Sequence, residues 1–474
     1  MFYGLGSIAY GVKDSSISTF LLIFYNQVVG LPAGWVGGVI MAALILDAFL
    51  DPIIGQVSDH WRSRWGRRHP FMYASAVPVA VFFILLWNPP KGWSDTALLA
   101  YLLVVFIAAR FCITLYEIPS SALTPELTTD YDQRTSLVSW RYFFGVLGNI
   151  GIVVIAYRFF LVRDAAHPVA ILNRAGYGAF SLVAAGIMVA SILISAAGTH
   201  NRVRYLRRLA PRAPMKLGAV IGEMVQSLSN RSYISIVLAG LFSSMAIGVA
   251  NGLTVYFNFY YWGFSTAQAS TLAIAGVPGA LIALIAAPAA SRRLGKRNAC
   301  VATATAYFLI ASAPYVFKLL GLMPPEGSSA LVAVIFATTL IALTFAIMAL
   351  ILYGSMIADV VEDSQIATGR RSEGLFFAAS SFIQKAVSGI GVFLAGLLLA
   401  LVRFPAHARP GAVDPEIVRH LVLIYIPAQV ALYVVTMLML LTYRIDRASH
   451  GDNLSKLADA ADAAATIEIP APGR

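Results

Sequence analysis

Residues 34–70 read GWVGGVIMAALILDAFLDPIIGQVSDHWRSRWGRRHP. The first two thirds of this stretch form an apolar run, and the last third is a turn rich in arginine. A helix crosses the roughly 30 Å hydrocarbon layer with about 20 apolar residues, so residues 34–58 predict a transmembrane helix. Two aspartates, Asp47 and Asp51, interrupt the run, and an acidic side chain inside a bilayer requires a structural or functional reason.

The composition of the whole chain leads to the same class. Of 474 residues, 59% are hydrophobic and only 12% are charged, and the mean hydropathy is +0.75. Soluble domains carry about 25% charged residues, which excludes a soluble multidomain enzyme. The formal net charge of +11 comes from basic residues in short loops, where they orient a membrane protein, so no nucleic-acid partner is predicted. Cys112 and Cys300 imply no disulfide framework, and residues 1–29 show no signal-peptide cleavage pattern.

Twelve apolar segments of spanning length can be counted. They are 2–29, 34–58, 71–88, 97–124, 141–162, 176–198, 231–260, 266–290, 299–320, 329–358, 376–403 and 418–443. Backbone polar groups must pair internally in lipid, so all twelve are predicted to be helices. The predicted fold class is therefore an all-α membrane protein.

The basic residues also indicate orientation. They concentrate in loops 59–70, 199–217 and 291–298, whereas loops 29–34 and 88–96 hold one between them. By the positive-inside rule, both termini are predicted to be cytoplasmic. The expected location is the plasma membrane or the bacterial inner membrane.

A sequence repeat divides the chain. Residues 63–68 (SRWGRR) and 292–297 (RRLGKR) each follow the second predicted helix of a group of six. Two six-helix halves explain this spacing, an arrangement typical of the major facilitator fold, whose substrate site lies between the halves. The predicted parts are an N-terminal half at 1–198, a cytoplasmic linker at 199–230, a C-terminal half at 231–443 and a cytoplasmic tail at 444–474.

Ionisable residues inside the spans are the candidates for function. They are Lys13, Asp14, Asp47, Asp51, Arg110, Glu117, Arg141 and Lys385. Each costs about 2.5–3.5 kcal/mol to place at a helix centre on insertion scales. Such a charge marks a function, an ion pair that joins two helices, or a side chain that reaches water. Most of the eight lie on the first, second, fourth and fifth spans, which favours a shared site.

The spacing of these residues suggests two kinds of binding. Asp47 and Asp51 stand at i and i+4 on one face of the second helix, and their repulsion is relieved by a cation, Na⁺ or H⁺. Carboxylate oxygens suit a hard cation. On the fourth helix, Arg110, Thr114 and Glu117 also share one face.

The remaining polar residues suggest a hydroxyl-binding pocket. Asp14, Glu117 and Arg141 combine carboxylate acceptors with a guanidinium, a set that binds vicinal hydroxyl groups. Aromatic candidates to cover the apolar face of a sugar are Tyr10, Tyr116, Tyr256 and Trp262.

These residues lie in motifs that resemble those of the glycoside–pentoside–hexuronide:cation symporters, the family of the melibiose permease. The motifs are GVKD at 11–14, DAFLDP at 47–52, DHWRSRWGRRHP at 59–70, YEIP at 116–119, the stretch from Asp132 to Arg141, and IADVVED at 357–363 with Arg371, Glu373 and Gly374. The resemblance runs from Gly4 to about Arg444 and implies a twelve-helix symporter of the major facilitator superfamily.

The resemblance implies a role for each matching position. The cation-binding residues would be Asp47, Asp51 and Thr114, with the two aspartates as metal ligands if the ion is Na⁺. The substrate-binding residues would be Lys13, Asp14, Glu117, Arg141 and Lys385, to which Arg110 is added because it shares the helix face of Thr114 and Glu117. The gating residues at the cytoplasmic end would be Arg67, Arg134, Asp359, Arg371 and Glu373. No cofactor other than the coupling cation is expected.

Three positions depart from the family pattern. Leu50 stands where an asparagine is often found, Glu117 where melibiose permeases have an aspartate, and Ser121 where a tryptophan is characteristic of galactoside binding. The first departure removes an amide oxygen from the cation site and weakens the expectation of Na⁺ relative to H⁺. The other two argue against melibiose itself as the substrate.

The leading prediction is cation-coupled symport of a glycoside, pentoside or hexuronide by alternating access, with a monomer as the working unit. A cation-coupled carrier of a lysolipid or another amphiphile remains open, because Leu50 and Ser121 leave room for an acyl chain. A non-transporting membrane sensor or an intramembrane enzyme also remains open. The sequence shows no nucleophile elbow, no His-Glu-x-x-His motif and no aspartyl protease pattern. The predicted partners are a small-molecule substrate and the lipid bilayer.

Overall fold

The computed structural model describes residues 1–128, 131–163, 169–201, 203, 231–368 and 373–443. Over these ranges the chain forms helices joined by short connections. The twelve long helical elements of the described chain are α1 (Phe2–Leu5, Ser7–Ser16, Ile17–Leu21 and Phe24–Val29), α2 (Ala33–His60), α3 (His69–Trp87), α4 (Asp95–Ala122), α5 (Tyr131–Ile155 and Ala156–Phe160), α6 (Arg174–His200), α7 (Arg231–Tyr256 and Phe257–Tyr261), α8 (Thr266–Ile274 and Gly276–Leu294), α9 (Lys296–Leu319), α10 (Ser329–Thr368), α11 (Glu373–Leu401) and α12 (Pro415–Leu441).

Ten of the helices in the described ranges are long and apolar enough to cross a membrane. α1 is not among the ten because its π-helical turns, Ile17–Leu21 and Phe24–Val29, divide it into short segments. α11 enters that count only as a shorter apolar helix, Val387–Leu401. The fold-class prediction of twelve helices in an all-α membrane protein is confirmed.

Local sequence sets where several helices begin. Ser94 Oγ accepts a hydrogen bond from the Ala97 amide at the start of α4. Ser265 and Gln268 form a reciprocal capping box at the start of α8. These side chains satisfy amides that lack a partner in the first helical turn.

Two helices are longer than hydropathy predicts. α5 begins at Tyr131 rather than at 141, and α10 continues to Thr368 rather than ending at 358. The added turns carry charged residues, which lower hydropathy but are compatible with helix formation. Hydropathy therefore marks the part of a helix that lies in lipid and underestimates the full length.

The predicted linker at 199–230 is described only at 199–201 and 203, and the predicted tail at 444–474 lies outside the described residues. The domain boundaries therefore remain predictions. The repeated glycine turns are described, and they share a backbone conformation. Gly66, between α2 and α3, has φ +81°, and Gly295, between α8 and α9, has φ +76°. Side chains with a Cβ rarely adopt positive φ, so both turns favour glycine.

Glycines bring α1 and α5 into close contact. A Cβ built on Gly11 would lie 2.2 Å from the carbonyl oxygen of Gly145, and one on Gly148 would lie 2.7 Å from that of Ile8. Small residues allow this backbone approach between membrane helices. The contact fixes the turn of α1 that carries two of the charged residues.

The two halves meet closely between α2 and α11. A Cβ built on Gly396 would lie 2.4 Å from the carbonyl oxygen of Ala33, and one on Gly389 would lie 3.1 Å from Met41 Cα. All four residues lie toward the end of the bundle where α2 begins and α11 ends.

Polar contacts join the halves at the same end. Tyr256 Oη donates to Asn26 Oδ1 at 2.7 Å. Gln27 Nε2 donates to the carbonyl oxygen of Pro405 at 3.0 Å, and Gln27 Oε1 accepts from the amide of Ala408 at 2.8 Å. We call this the closed end, and it is the end opposite to Met1 and to the last residue of α12.

Candidate functional site

Four helices, α1, α2, α4 and α11, carry the charged residues of the candidate site. We call these residues, together with the neutral Thr114, the central charge cluster. Its members are Lys13, Asp14, Asp47, Asp51, Arg110, Thr114, Glu117 and Lys385. The structure brings charged residues of four separate helices close together, and their roles in binding remain predictions.

Asp47 on α2 is the most deeply buried carboxylate of the cluster, with 1% of its side chain exposed. Arg110 on α4 donates from Nε to Asp47 Oδ2 at 3.0 Å, and its Nη2 donates to the same oxygen. Thr114 Oγ1, one turn further along α4, donates to Asp47 Oδ1 at 3.3 Å. Both oxygens of Asp47 are therefore hydrogen-bonded.

Lys13 links α1 to α4. Its Nζ lies 2.8 Å from Asp14 Oδ1 and 3.6 Å from Glu117 Oε2. Arg110 Nη1 lies 3.7 Å from the same oxygen of Asp14. Because only 5% of the Lys13 side chain is exposed, these carboxylates provide the compensation that a buried ammonium needs.

Asp51 pairs with the other half of the protein. Lys385 Nζ on α11 lies 2.5 Å from Asp51 Oδ2. Asp51 Oδ1 is buried and has no hydrogen-bond partner among the described residues. The two aspartates of α2 therefore differ: Asp47 is fully paired within its own half, and Asp51 joins α2 to α11 with one oxygen unsatisfied.

The cluster holds more acidic than basic groups. Its carboxylates are Asp14, Asp47, Asp51 and Glu117, and its basic side chains are Lys13, Arg110 and Lys385. If all are ionised, one negative charge is in excess. An excess negative charge next to buried groups such as Asp47 is unfavourable, so the composition of the described residues favours the binding of one monovalent cation.

The cluster is also accessible. Asp14 has 49% of its side chain exposed, Lys385 has 30% and Glu117 has 25%. Asp14 and Lys385 lie near the middle of their helices. The side chains of the cluster are therefore partly accessible from outside the protein, as a binding site on a transport pathway requires.

Arg141, predicted to bind substrate with Asp14 and Glu117, occupies a separate position on α5. Its Nη1 donates to Tyr3 Oη at 2.8 Å and to Ser120 Oγ at 3.1 Å. The guanidinium carbon also lies 5.1 Å from the centre of the Tyr3 ring and 5.9 Å from that of Tyr10. In this conformation Arg141 joins α5 to α1 and α4.

The predicted gating residues are described in part. Arg67 Nη2 lies 2.6 Å from Glu126 Oε1, and Lys296 Nζ lies 2.5 Å from Asp359 Oδ1. Each of these pairs joins residues of one half, whereas the resemblance implies charged pairs between the halves. Arg371 lies outside the described residues, as do the side chains of Arg134 and Glu373.

The aromatic candidates are dispersed. Tyr256 is bonded to Asn26 at the closed end, and Trp262 packs 5.2 Å from the Tyr315 ring there. Tyr116 packs against Gly6, where a Cβ would overlap its hydroxyl. Tyr116 is adjacent to Glu117 on α4 but is only 1% exposed, and Tyr10, beside Arg141, lies one turn from the cluster on α1.

Sequence reasoning missed the polar residues of the closed end. Asn26 and Gln27 are adjacent polar residues in an apolar run, and this was the available signal. The closed end also contains a cavity of about 930 Å³. Both halves line it, with Arg163, Tyr260, Gln268, Lys318, Glu326 and Arg419 among the lining residues.

No cluster of three or more His, Cys, Asp or Glu side chains suited to a metal ion occurs in the described part of the chain. Asp47 and Asp51 would have to act with neutral oxygen ligands to hold Na⁺. Thr114 offers one such oxygen, and Leu50, between the aspartates, offers none.

The bundle of apolar helices, with partly exposed charged residues at its centre, is typical of a polytopic membrane transport protein. The chain belongs to the family described as MFS/sugar transport protein, whose model matches residues 2–447. It is therefore an integral membrane protein of the major facilitator superfamily, as the sequence motifs predict.

Two relatives of known sequence are named as transporters. The chain is 27% identical to an isoprimeverose transporter of Lactiplantibacillus pentosus over 94% of this chain and 88% of the relative. It is 26% identical to a putative glycoside/cation symporter of Escherichia coli, YagG, over 94% of this chain and 91% of the relative. The fold resembles the partially occluded inward-open xylose transporter XylE from E. coli, with a TM-score of 0.59, 13% identity, and coverage of 94% and 97% of the two chains.

Proposed function

We propose that the protein is a secondary active transporter that couples the movement of one monovalent cation, Na⁺ or H⁺, to that of a glycoside, pentoside or hexuronide. The observation that carries this proposal is the central charge cluster, in which four carboxylates face three basic groups and three of the side chains are partly exposed. The names of the two relatives above, one a sugar transporter and one a putative glycoside/cation symporter, support the substrate class and the coupling.

In this proposal a sugar binds at the exposed side of the cluster. Asp14 and Glu117 accept hydrogen bonds from sugar hydroxyls, and Lys13, which touches both, donates. A bound cation neutralises the excess charge, so that the loaded cluster is electrically balanced when water is excluded. Each ligand then raises the affinity for the other, since the coupling free energy is reciprocal.

Alternating access requires the halves to separate at the closed end and to meet at the other. Both chain ends and the arginine-rich turns are assigned to the cytoplasm by the positive-inside rule. On this assignment the closed end faces the outside, and we propose that the cluster opens to the cytoplasm in this conformation. The Asp51–Lys385 pair joins the halves at the level of the cluster. A change in the charge of the cluster therefore changes the strength of this contact between the halves.

The test is uptake by purified protein in liposomes. Labelled isoprimeverose, methyl β-xyloside, methyl β-glucuronide and methyl α-galactoside are offered with an imposed Na⁺ gradient, an imposed pH gradient or neither. We expect at least one sugar to accumulate above its external concentration when an ion gradient is present. Glu117→Gln should lose this accumulation, whereas Glu416→Gln should retain it, because Glu416 is 58% exposed on α12 and pairs there with Arg419.

Other outcomes overturn the proposal. Movement of lysophosphatidylglycerol with no movement of any sugar would assign the cluster to an amphiphile carrier. Chemical conversion of a sugar without flux would indicate an enzyme. Absence of flux under every gradient would indicate a binding protein that does not transport.

A further inference from the structure

The guanidinium of Arg110 occupies the place beside Asp47 where a cation bound to this carboxylate would lie. Arg110 directs two N–H groups at Asp47 Oδ2, and Thr114 donates to Oδ1. The exposed fractions are 1% for Asp47 and 7% for Arg110, so this pair is enclosed by protein. A metal ion at this position would have to displace the guanidinium from its carboxylate.

The position also fits an alkali cation poorly on the count of oxygen ligands. Hard cations are held by several oxygens at once, from carboxylates, carbonyls, amides or hydroxyls. Of the residues that follow Asp47 on the helix face, Leu50 has no side-chain oxygen, and Asp51 has one oxygen paired with Lys385 Nζ and only Oδ1 without a partner among the described residues. Thr114 supplies one neutral oxygen, and Arg110 adds a positive charge that repels a second cation.

We infer that Arg110 is a resident counter-ion that replaces an alkali cation at Asp47 and Thr114, so that transport does not depend on Na⁺. This inference rests on the proposed symport and narrows it. Arg110 also lies 3.7 Å from Asp14, which pairs with Lys13, and the Asp51–Lys385 pair stands one turn along α2 from Asp47. With the Asp47 position filled, a proton gradient is the ion gradient left to drive uptake.

A reciprocal consequence makes the inference testable without knowledge of the sugar. If the guanidinium occupies a cation position, its removal should create one. Arg110→Ala leaves Asp47 and Thr114 facing an enclosed space with an unpaired carboxylate, and a small cation can then enter.

The experiment is thermal unfolding of the purified full-length protein in detergent, titrated with NaCl against choline chloride at constant ionic strength. The unaltered protein should show no difference between the two salts. Arg110→Ala should melt at a lower temperature in choline chloride and recover with a saturable dependence on Na⁺. Arg158→Ala is the matched control: Arg158 Nε donates to Ser270 Oγ at 2.8 Å near the closed end, with no carboxylate in that bond, so no Na⁺ dependence is expected.

Two results would overturn the inference. One is saturable, Na⁺-specific stabilisation of the unaltered protein, and the other is a folded Arg110→Ala variant that does not respond to Na⁺. If Arg110→Ala does not fold, Arg110→Gln is measured in its place. If neither variant folds, the comparison of NaCl with choline chloride on the unaltered protein decides the test.

Failure here is distinguishable from failure of the proposed function. Sugar accumulation driven by a Na⁺ gradient would refute the role of Arg110 and leave symport intact. Absence of sugar flux under every gradient would refute symport and leave the thermal result on Na⁺ unaffected.

Discussion

Gly396→Ala should shift the protein away from the conformation seen here. The new Cβ would lie 2.4 Å from the carbonyl oxygen of Ala33 and 3.0 Å from its carbonyl carbon. Both are backbone atoms of α2, which cannot move aside as the end of a flexible side chain can. The clash exists only while the halves touch at the closed end, so the substitution penalises that conformation selectively.

The expected magnitude follows from the cost of overpacking. An extra methyl group in a tightly packed contact costs about 1–3 kcal/mol. A free-energy difference of that size corresponds to a change of about 5–150-fold in the ratio of the two conformations. Gly354→Ala provides the control, because no atom lies within 4 Å of a Cβ built at that glycine of α10.

The assay is a distance distribution between two spin labels at the closed end. Trp93→Cys and Leu322→Cys place one label in each half, at side chains that are 52% and 69% exposed. The native residues Cys112 and Cys300 are buried and should label poorly. We expect Gly396→Ala to raise the population of the longer distance and Gly354→Ala to leave it unchanged. An unchanged distribution in Gly396→Ala would refute the claim that this α2–α11 contact closes one end of the pathway.

Three further predictions concern polar groups. Glu126→Gln should lower the free energy of unfolding by about 3–5 kcal/mol, since Glu126 is 5% exposed and contacts two arginines. The control Glu326→Gln, at a carboxylate that is 64% exposed, should lower it by less than about 1 kcal/mol, and equal losses of stability in the two variants on thermal unfolding would contradict the prediction. Asp51→Asn removes the ionic partner of Lys385 and should abolish concentrative uptake in liposomes while exchange across the membrane persists, so unchanged accumulation would refute its role. Tyr256→Phe removes a 2.7 Å hydrogen bond at the closed end and should cost about 1 kcal/mol, or about a five-fold population shift in the same spin-label assay, and no shift would exclude the bond as a closing contact.

Much of the fold could be predicted because hydropathy and charge are local properties of the sequence. The apolar runs gave the helices, and the two glycine turns at Gly66 and Gly295 indicated the repeat, which their shared positive φ supports. The unpredicted features depend on how the chain packs. The π-helical turns of α1 and the lengths of α5 and α10 beyond the lipid are examples.

The sequence indicated most residues of the cluster, Arg141 excepted, but not which residues pair with each other. Asp47 and Asp51 stand one turn apart and were expected to share one cation, yet one contacts Arg110 and the other contacts Lys385 of the opposite half. The partner of each carboxylate is set by the approach of α4 and α11, which no spacing along α2 encodes. Arg141 shows the same limit, because Tyr3 and Ser120 hold it apart from the carboxylates of the cluster.

The central claim is that one excess negative charge in the central charge cluster makes the carrier take one monovalent cation with each sugar. The ratio of charge moved to neutral sugar moved, measured in liposomes with a controlled membrane potential, tests this claim most directly. The account predicts one positive charge per sugar molecule. Sugar flux without charge movement, or with two charges per sugar, would contradict it.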